Sequence, residues 1–408
     1  MSQEIYESMK PIVKLFLDEL MKHYLGPLYK YLKDNPKLIK TAPAFLLNHE
    51  KLIVYIGRTH IGIEYVGSEI MEELSETGTT EIEYHDYTGA DTNLLEKIIG
   101  FEYDSSMPFS LPLPPVNEDL LLPTNKGWDK LLELRWNVSA QNSIMAFNTP
   151  CPAAPAGQFT RIVNGFFFDS DDSGLITRHI KWLDLIPITF NGEDEELDSI
   201  SFTVMPMGKM VEHDANYIYP MPDDYKYKKL PKINRFIELW GNQKSSEPQI
   251  TAFLSEEENN FILTMRFGAV EMHHQLLCEW QSEDRKNIQP DFFVVHANGF
   301  ADIVEFKLPE IGKSAVVGID NREAFAAWLS SYIAQTRVYS IYFDDPSNRK
   351  WFELKYGFKV YKPRRWLVVG RRSDFNSDVW REIVSDCKDL EIITYDDLID
   401  GVVAQFYR

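Results

Sequence analysis

The chain has 408 residues, of which 44% are hydrophobic and 25% are charged, and its net charge at neutral pH is −20. This composition is typical of a soluble globular protein, and the length suggests two or three domains. No apolar run approaches the roughly 18 residues that a spanning helix needs, and the first ten residues are polar. The three cysteines, Cys151, Cys278 and Cys387, are far apart and odd in number. We therefore expect a cytoplasmic protein with no membrane partner, no disulfides and no cysteine zinc site.

The first half of the chain predicts one or two α+β domains. Apolar residues recur at helical spacing through residues 1–40, and residues 52–67 predict two strands around a polar turn, so we assign an N-terminal α+β domain to 1–106. The prolines of residues 107–127 are poorly suited to regular strand ladders and predict a connector. Residues 128–218 alternate strand-like and loop-like segments and predict a second, β-rich subdomain.

Acidic residues are concentrated in this first half. Residues 1–231 carry 20 basic and 35 acidic residues, including the runs "SDDSG" and "NGEDEELD", whereas residues 232–408 carry 22 basic and 27 acidic residues. Within the second half, residues 349–372 hold nine basic residues and one acid, Glu353. The second half therefore has a local positive patch on an otherwise acidic protein.

A second connector is predicted over residues 219–232, and residues 233–408 predict one α/β domain. Its mixed sheet would be flanked by helices. The predicted elements are a short helix over 233–241, a helix from Ser255 to Phe267, a helical stretch over 270–281, a hairpin over 290–308, an amphipathic helix over 321–342, a buried strand in "RRWLVVGR", a helix in "SDVWREIVSDCK" and a last strand in "LEIITY".

The hairpin "QPDFFVVHANGFADIVEFKLPE" (289–310) contains charges that core strands normally exclude. Asp291 opens its first strand, and Glu305 and Lys307 lie within its second. Carboxylate oxygens are the ligands that Mg²⁺ prefers, and a lysine beside them can stabilise charge that develops on a phosphate. The three residue types therefore predict a site that cleaves phosphodiesters.

Such a site requires Asp291 and Glu305 to share one face of the hairpin. A two-residue turn at Asn298-Gly299 would pair Asp291 with Phe306, on the opposite face. A three-residue loop or a bulge would shift the pairing by one residue and bring the two carboxylates together. We predict that shift.

Asp291, the Glu305-x-Lys307 pair and the Gln335-x-x-x-Tyr339 pair resemble the PD-(D/E)xK nuclease superfamily, in particular its RecB-like branch. The wider sequence of residues 250–408, including "YIAQTRVY" and "IITYDDLI", resembles the Shedu anti-phage defence proteins. This resemblance implies a restriction-endonuclease-like domain and a deoxyribonuclease that uses Mg²⁺, for which Mn²⁺ can substitute. It also implies a homo-oligomer, a tetramer by family resemblance.

The resemblance also implies roles for individual residues. Asp291 and Glu305 would bind the metal together with the backbone carbonyl of Phe306, and Lys307 would be the catalytic lysine. Gln335 would support Lys307 or contact a phosphate, with Tyr339 nearby. The family usually adds a glutamate on the helix before the hairpin, for which Glu258 is the first candidate and Glu257 the second.

DNA is the expected partner, and the basic stretch is where we expect phosphate contacts. Cations track phosphates and aromatic faces stack on unpaired bases. Lys362, Arg364 and Arg371 stand at the two ends of the strand predicted in "RRWLVVGR", so we assign them to DNA binding.

Three functions remain open at this point. The first is a Mg²⁺-dependent DNA endonuclease of a bacterial defence system, with the N-terminal region regulating access or recognising DNA. The alternative is a DNA-binding or sensing module that keeps the nuclease fold without cutting, and the third is an interaction scaffold whose acidic half mimics DNA. The sequence contains no G-x-x-x-x-G-K-[ST] phosphate loop and so predicts no nucleotide triphosphate site.

Overall fold

The structure is a computed structural model, and it divides the chain into two compact units. One unit comprises residues 1–133 and 141–223, and the other comprises residues 134–140 and 224–408. The acidic run "NGEDEELD" lies outside the described residues. Those residues are 3–69, 73–74, 80–89, 93–104, 106, 110–138, 145–146, 150–190, 200–219, 225–281, 285–309, 314–318, 322–375, 378–385, 387 and 389–406.

The N-terminal unit is built on one mixed sheet. Its strand order is β3-β1-β2-β10-β9-β6-β7, with β11 paired to β10 and β5 to β9. The strands are β1 His49–Ile56, β2 His60–Gly67, β3 Glu81–Asp86, β4 Leu111–Pro112, β5 Val116–Glu118, β6 Leu120–Pro123, β7 Met145–Ala146, β8 Pro152–Ala153, β9 Thr160–Asp171, β10 Gly174–Phe190 and β11 Ile200–Phe202. The helices are α1 Gln3–Leu20, α2 Gly26–Asp34, α3 Leu94–Ile99, α4 Asn125–Glu133, α5 Met205–Gly208 and α6 Val211–Asn216, and a π-helical turn, Met21–Leu25, joins α1 to α2.

This sheet differs from the sequence-based division at residues 107–127. Strands from 1–106 and from 128–218 lie in the same sheet, where β2 pairs with β10. The proline-rich stretch is itself part of it, because β5 and β6 pair in parallel with β9. The prolines are accommodated because these strands are short: Pro123 is the last residue of β6, and Pro112 ends β4, which pairs with β8 in a separate two-stranded sheet. Residues 107–109 of this stretch lie outside the described part of the chain.

The C-terminal unit is a five-stranded mixed sheet between two layers of helices. The strand order is β12-β13-β14-β17-β18, with antiparallel pairing up to β14 and parallel pairing beyond it. The strands of this sheet are β12 Glu271–His274, β13 Phe292–Val295, β14 Ala301–Phe306, β17 Arg365–Val368 and β18 Leu390–Ile393, and β15 Val316–Val317 pairs with β16 Ala324–Phe325 in a separate two-stranded sheet. The helices are α7 Tyr225–Trp240, α8 Glu247–Ser255, α9 Phe261–Phe267, α10 Ala327–Asp344, α11 Pro346–Tyr356, α12 Asp378–Ser385 and α13 Tyr395–Val403.

Alternation along the strands separates the two faces of this sheet. On one face Phe293 and Ile303 pack with Tyr339 and Phe343 of α10 and with Phe352 of α11. On the other face the ring of Phe306 lies 6.0 Å from that of Tyr395, which in turn contacts Trp240 of α7. The predicted α/β class of this part of the chain is confirmed. In the described residues, no helix is long and apolar enough to cross a membrane.

Three predicted elements of this unit were wrong. Residues 225–232, assigned to a connector, form the first half of α7. The helix predicted over 255–267 begins six residues later, as α9 at Phe261, although it ends at Phe267 as predicted; Ser255 instead ends α8, whose capping box is formed by Ser246 and Gln249. Residues 271–274 of the predicted 270–281 helix form the edge strand β12.

The predicted shift in the hairpin register is confirmed. Val295 pairs with Ala301 and Phe292 with Val304, so the next position places Asp291 opposite Glu305. The loop has three residues, 297–299, in which the amide of Gly299 donates to the carbonyl of His296 over 2.8 Å. Gly299 has φ +80°, the left-handed conformation that such loops place at their last residue.

Gly299→Ala should lower the free energy of unfolding by about 1 kcal/mol, because a Cβ disfavours the left-handed conformation. Among the described residues, no atom lies within 4 Å of the position that this Cβ would occupy, so we expect the penalty to come from backbone strain. Gly299→Asn should lose less, since asparagine tolerates this conformation. Urea unfolding of both variants measures the difference. Equal stability of Gly299→Ala and the unmodified protein would contradict the assigned loop conformation.

Candidate functional site

The candidate site lies at one edge of the C-terminal sheet. Strands β14, β17 and β18 run parallel, so their carboxyl ends share this edge. Glu305 is the last residue but one of β14, and Lys307 follows the strand. Asp291 immediately precedes β13 and lies at the same edge because of the hairpin register.

The carboxylate of Glu305 is the centre of the site. Its side chain is 2% exposed. Its Oε1 accepts hydrogen bonds from Lys307 Nζ over 2.9 Å and from Gln335 Nε2 over 2.5 Å, and its Oε2 accepts from the Tyr339 hydroxyl over 3.0 Å. Gln335 Nε2 also donates to the Tyr339 hydroxyl over 3.0 Å. Two residues four apart on α10 thus orient one buried carboxylate.

Lys307 lies between two carboxylates. Its ammonium donates to Glu305 Oε1 and, over 2.9 Å, to Glu247 Oε1 in the first turn of α8. It also lies 5.6 Å from the centre of the Tyr332 ring. Its backbone is fixed as well, since the amide donates to Val368 and the carbonyl accepts from the Tyr395 hydroxyl over 2.8 Å. Groups from five different elements therefore fix the position of Lys307.

Asp291 is held against the backbone of the neighbouring strand. Its Oδ2 accepts from the amide of Phe306 over 2.8 Å, and its own amide approaches Glu305 Oε2 at 3.5 Å. Two carboxylates thus meet in an interior position, and only one of them is directly paired with a cation.

This crowding shifts the protonation equilibria of the site. Burial, reinforced by the nearby charge of Glu305, raises the pKa of Asp291 to about 7. Burial also raises the pKa of Glu305, although Lys307 opposes that rise. Burial by itself would lower the pKa of Lys307, but Glu305 and Glu247 together raise it above its ordinary value. Lys307 is therefore protonated at neutral pH, and the carboxyl group of Asp291 titrates near neutral pH.

The donor set fits a hard divalent cation. Mg²⁺ is usually bound through one or two carboxylates and keeps several waters. Asp291 and Glu305 supply such a pair, and only one oxygen of Asp291 is used by the Phe306 amide. Within the described ranges, no group of three or more His, Cys, Asp or Glu side chains has a metal-binding arrangement. The pair therefore has the donor chemistry that an ion retaining several waters would require, and the described residues form no closed metal cage.

The helix glutamate assigned from the sequence lies elsewhere. Glu258 follows the end of α8, is 62% exposed and pairs with Lys232 Nζ at 2.6 Å. The second candidate, Glu257, lies in the same exposed turn. The glutamate that the structure brings to Lys307 is Glu247, which the sequence reasoning missed. The sequence does contain a signal for this helix start, because "SEPQ" (246–249) matches a capping box with proline in the first turn.

The three residues assigned to DNA contacts do not cluster at this edge. Arg371 does follow β17 there, but its guanidinium donates two hydrogen bonds to Asp396 and packs over the ring of Trp240. The guanidinium is therefore already paired with a carboxylate. Arg364 and Lys362 precede β17 and lie at the opposite edge, where the Arg364 amide donates to Asp302 Oδ1. Both side chains are exposed.

Fold and cluster together define the C-terminal unit as a mixed α/β domain with an acid–lysine site at the carboxyl ends of its parallel strands. Residues 244–399 match the family model described as Shedu protein SduA, C-terminal, so this part of the chain is similar to the Shedu family. No curated protein matches the chain. Residues 1–243 lie outside the family match.

Asp291→Asn should stabilise the protein at neutral and alkaline pH in the absence of divalent cations. Because the folded-state pKa lies above the unfolded-state value, stability falls as the pH rises between those two values, and the penalty is complete above about pH 7. Removing the charge should recover roughly 2–4 kcal/mol at about pH 8 and less than half of that at about pH 5. Urea unfolding in EDTA at both pH values tests this. A variant that is less stable than the unmodified protein at the higher pH would refute the assigned pKa shift.

Proposed function

We propose that the protein is a Mg²⁺-dependent DNA endonuclease of a bacterial anti-phage defence system, with a C-terminal domain of the PD-(D/E)xK type. The observation that carries the proposal is the convergence of Asp291, Glu305 and Lys307 on one buried edge of the sheet. Burying two carboxylates and an ammonium is unfavourable unless they are paired, and a fold that needed only a stable core would gain by replacing them.

In this proposal Asp291 and Glu305 hold the cation together with the backbone carbonyl of Phe306. The cation supplies two effects when bound, a lower pKa for a water ligand and neutralisation of charge on the phosphate. Gln335 and Tyr339 fix the rotamer of Glu305 through their hydrogen bonds, so that both carboxylates face the same space.

Lys307 is the cationic group of the site, and Glu247 is its second anchor. The ammonium is suited to stabilise negative charge on the scissile phosphate, because its pKa keeps it protonated at neutral pH. Glu247 is a second carboxylate partner of this ammonium, so the ammonium would retain one partner if Glu305 engaged a cation.

The N-terminal unit would control which DNA reaches the site. Residues 1–231 have 15 more acidic than basic residues, and a field of that sign repels the phosphate backbone. Repulsion of this kind would keep bulk DNA away from a nuclease that makes few base contacts of its own.

The second candidate function is a nucleic-acid-binding module on the same fold that does not cut. The exposed cations Lys362 and Arg364 favour it, since they lie away from the carboxylates. A module of this kind would bind DNA equally well whether or not Lys307 is replaced.

The proposal is tested by cleavage of supercoiled, nicked and linear DNA with Mg²⁺ and with EDTA. The unmodified protein should cut only with the cation, and Lys307→Ala and Asp291→Asn should each lower the rate by about 100-fold or more, as removal of a group that stabilises a transition state does. Cutting at equal rates by all three proteins would show that the site is wrongly assigned. Binding without cutting, by all three and on every substrate, would support the non-cutting module.

Glu247→Gln and Glu258→Gln form a matched pair for the helix glutamate. The first substitution removes a charge that contacts Lys307, and we expect a slower rate by about tenfold, of the size that loss of one charge-assisted hydrogen bond produces. The second removes an exposed charge that pairs with Lys232 and should leave the rate unchanged. Single-turnover cleavage rates compare the two. A slower cleavage rate with Glu258→Gln and an unchanged rate with Glu247→Gln would show that Glu258, the residue chosen from the sequence, is the helix glutamate of the site.

A further inference from the structure

A second surface of the C-terminal unit combines exposed aromatic rings with cations. It is formed where the hairpin loop meets the segment between α11 and β17, and we call it the loop face. Phe300 forms an isolated bridge with Lys359, and the amide of Ala301 donates to the carbonyl of Lys359 over 2.8 Å. The loop face consists of Phe300, Arg349, Lys359, Tyr361, Lys362 and Arg364.

The two rings of the loop face are unusually open. Phe300 is 40% exposed and Tyr361 is 52% exposed. The guanidinium of Arg349 lies 4.8 Å from the centre of the Tyr361 ring, and the ammonium of Lys362 lies 5.8 Å from it. Lys362 itself has φ +45°, so the chain turns sharply at this point and presents consecutive side chains to solvent.

The charge of this surface is largely uncompensated. Among the described residues, the carboxylate that approaches Lys359 is that of Glu353, at 3.7 Å, and both side chains are about half exposed. Asp302 accepts from the Arg364 amide through Oδ1 and contacts His296 through Oδ2 at 3.0 Å, so both of its oxygens already have partners. The cations of Lys362 and Arg364 therefore face solvent.

The loop face lies at the end of the sheet away from the carboxylates. Glu305 lies five positions after Phe300 along an extended strand, and at about 3.3 Å per position this corresponds to about 16 Å. A phosphate held at Lys307 is therefore several nucleotides from one held at Lys362.

We propose that the loop face is a binding platform for single-stranded nucleic acid, separate from the candidate site around Glu305. Cations spaced along a surface pair with successive phosphates, and exposed rings between them stack on unpaired bases, whereas the stacked bases of a duplex leave such rings without partners. The inference takes nucleic acid as the substrate class from the proposed function. It adds a strand-type preference and a second point of attachment.

The test is binding of a labelled oligothymidylate of about 12 nucleotides, followed by fluorescence anisotropy in EDTA on the full chain. Tyr361→Ala should weaken binding at least about fivefold, while Tyr361→Phe, which keeps the ring, should bind as the unmodified protein does. Lys362→Ala with Arg364→Ala should lower the slope of log K against log salt by about 1.4, that is, by about 0.7 for each lost phosphate contact. Lys362→Arg with Arg364→Lys, which keeps both charges, should leave the slope unchanged.

Three results would overturn the inference. They are equal binding by Tyr361→Ala and Tyr361→Phe, equal affinity for a duplex of the same length, and an unchanged salt slope in the double alanine variant. The assay contains no cation and measures no cleavage, so loss of the proposed nuclease activity would leave it intact. Conversely, a protein that cuts DNA but binds the oligonucleotide independently of Tyr361 would remove the loop face alone.

Discussion

Glu305 carries a carboxylate into the interior of the C-terminal unit, and much of the surrounding structure serves to hold it there. Lysine, glutamine and tyrosine side chains from β14 and α10 donate to its two oxygens. A buried charge with fewer partners would be strongly unfavourable. The arrangement requires α10 to cross one particular face of the sheet, and it requires the hairpin to have the register that a three-residue loop sets. A shift of one residue would place Asp291 on the Phe306 face, and the two carboxylates would no longer meet.

The same arrangement opposes stability. Burial first and the nearby charge of Glu305 second raise the pKa of Asp291 to about 7, and its close donor among the described residues is the Phe306 amide. A cation at this position would relieve the repulsion between the two carboxylates. Sites that are poised for chemistry often reduce stability in this way, and proteins tolerate it where function requires it. The apolar layers on both faces of the sheet supply the compensating burial.

The two edges of the sheet have different chemistry because the strands have a direction. The carboxyl ends of β14, β17 and β18 bring the acids, Lys307 and the Arg371–Asp396 pair to one edge. The opposite edge carries exposed cations and rings. Under the proposed function, a nucleic acid would meet the carboxylates at one end of the sheet and the exposed cations at the other.

Local patterns in the sequence were sufficient for the hairpin. The apolar frame and the Asn298-Gly299 dipeptide predict the hairpin, and alternation places Glu305 and Lys307 on one face. The three-residue loop is predicted only because a shift of one residue is needed to bring Asp291 to that face. The spacing of Gln335 and Tyr339 likewise placed them on one helix face. Local patterns failed where partners are distant in the chain. Glu247 reaches Lys307 across 60 residues, and Arg371 is occupied by Asp396 rather than exposed.

The N-terminal unit shows the same limit on a larger scale, because strands β2 and β10 are adjacent in space but more than a hundred residues apart. What the sequence by itself determined is therefore the local geometry of the acid–lysine hairpin, where the interacting residues are close in the chain. Only the tertiary structure decided which glutamate anchors the lysine, which arginines remain exposed and how the first half of the chain is divided. Those outcomes depend on which distant segments pack together.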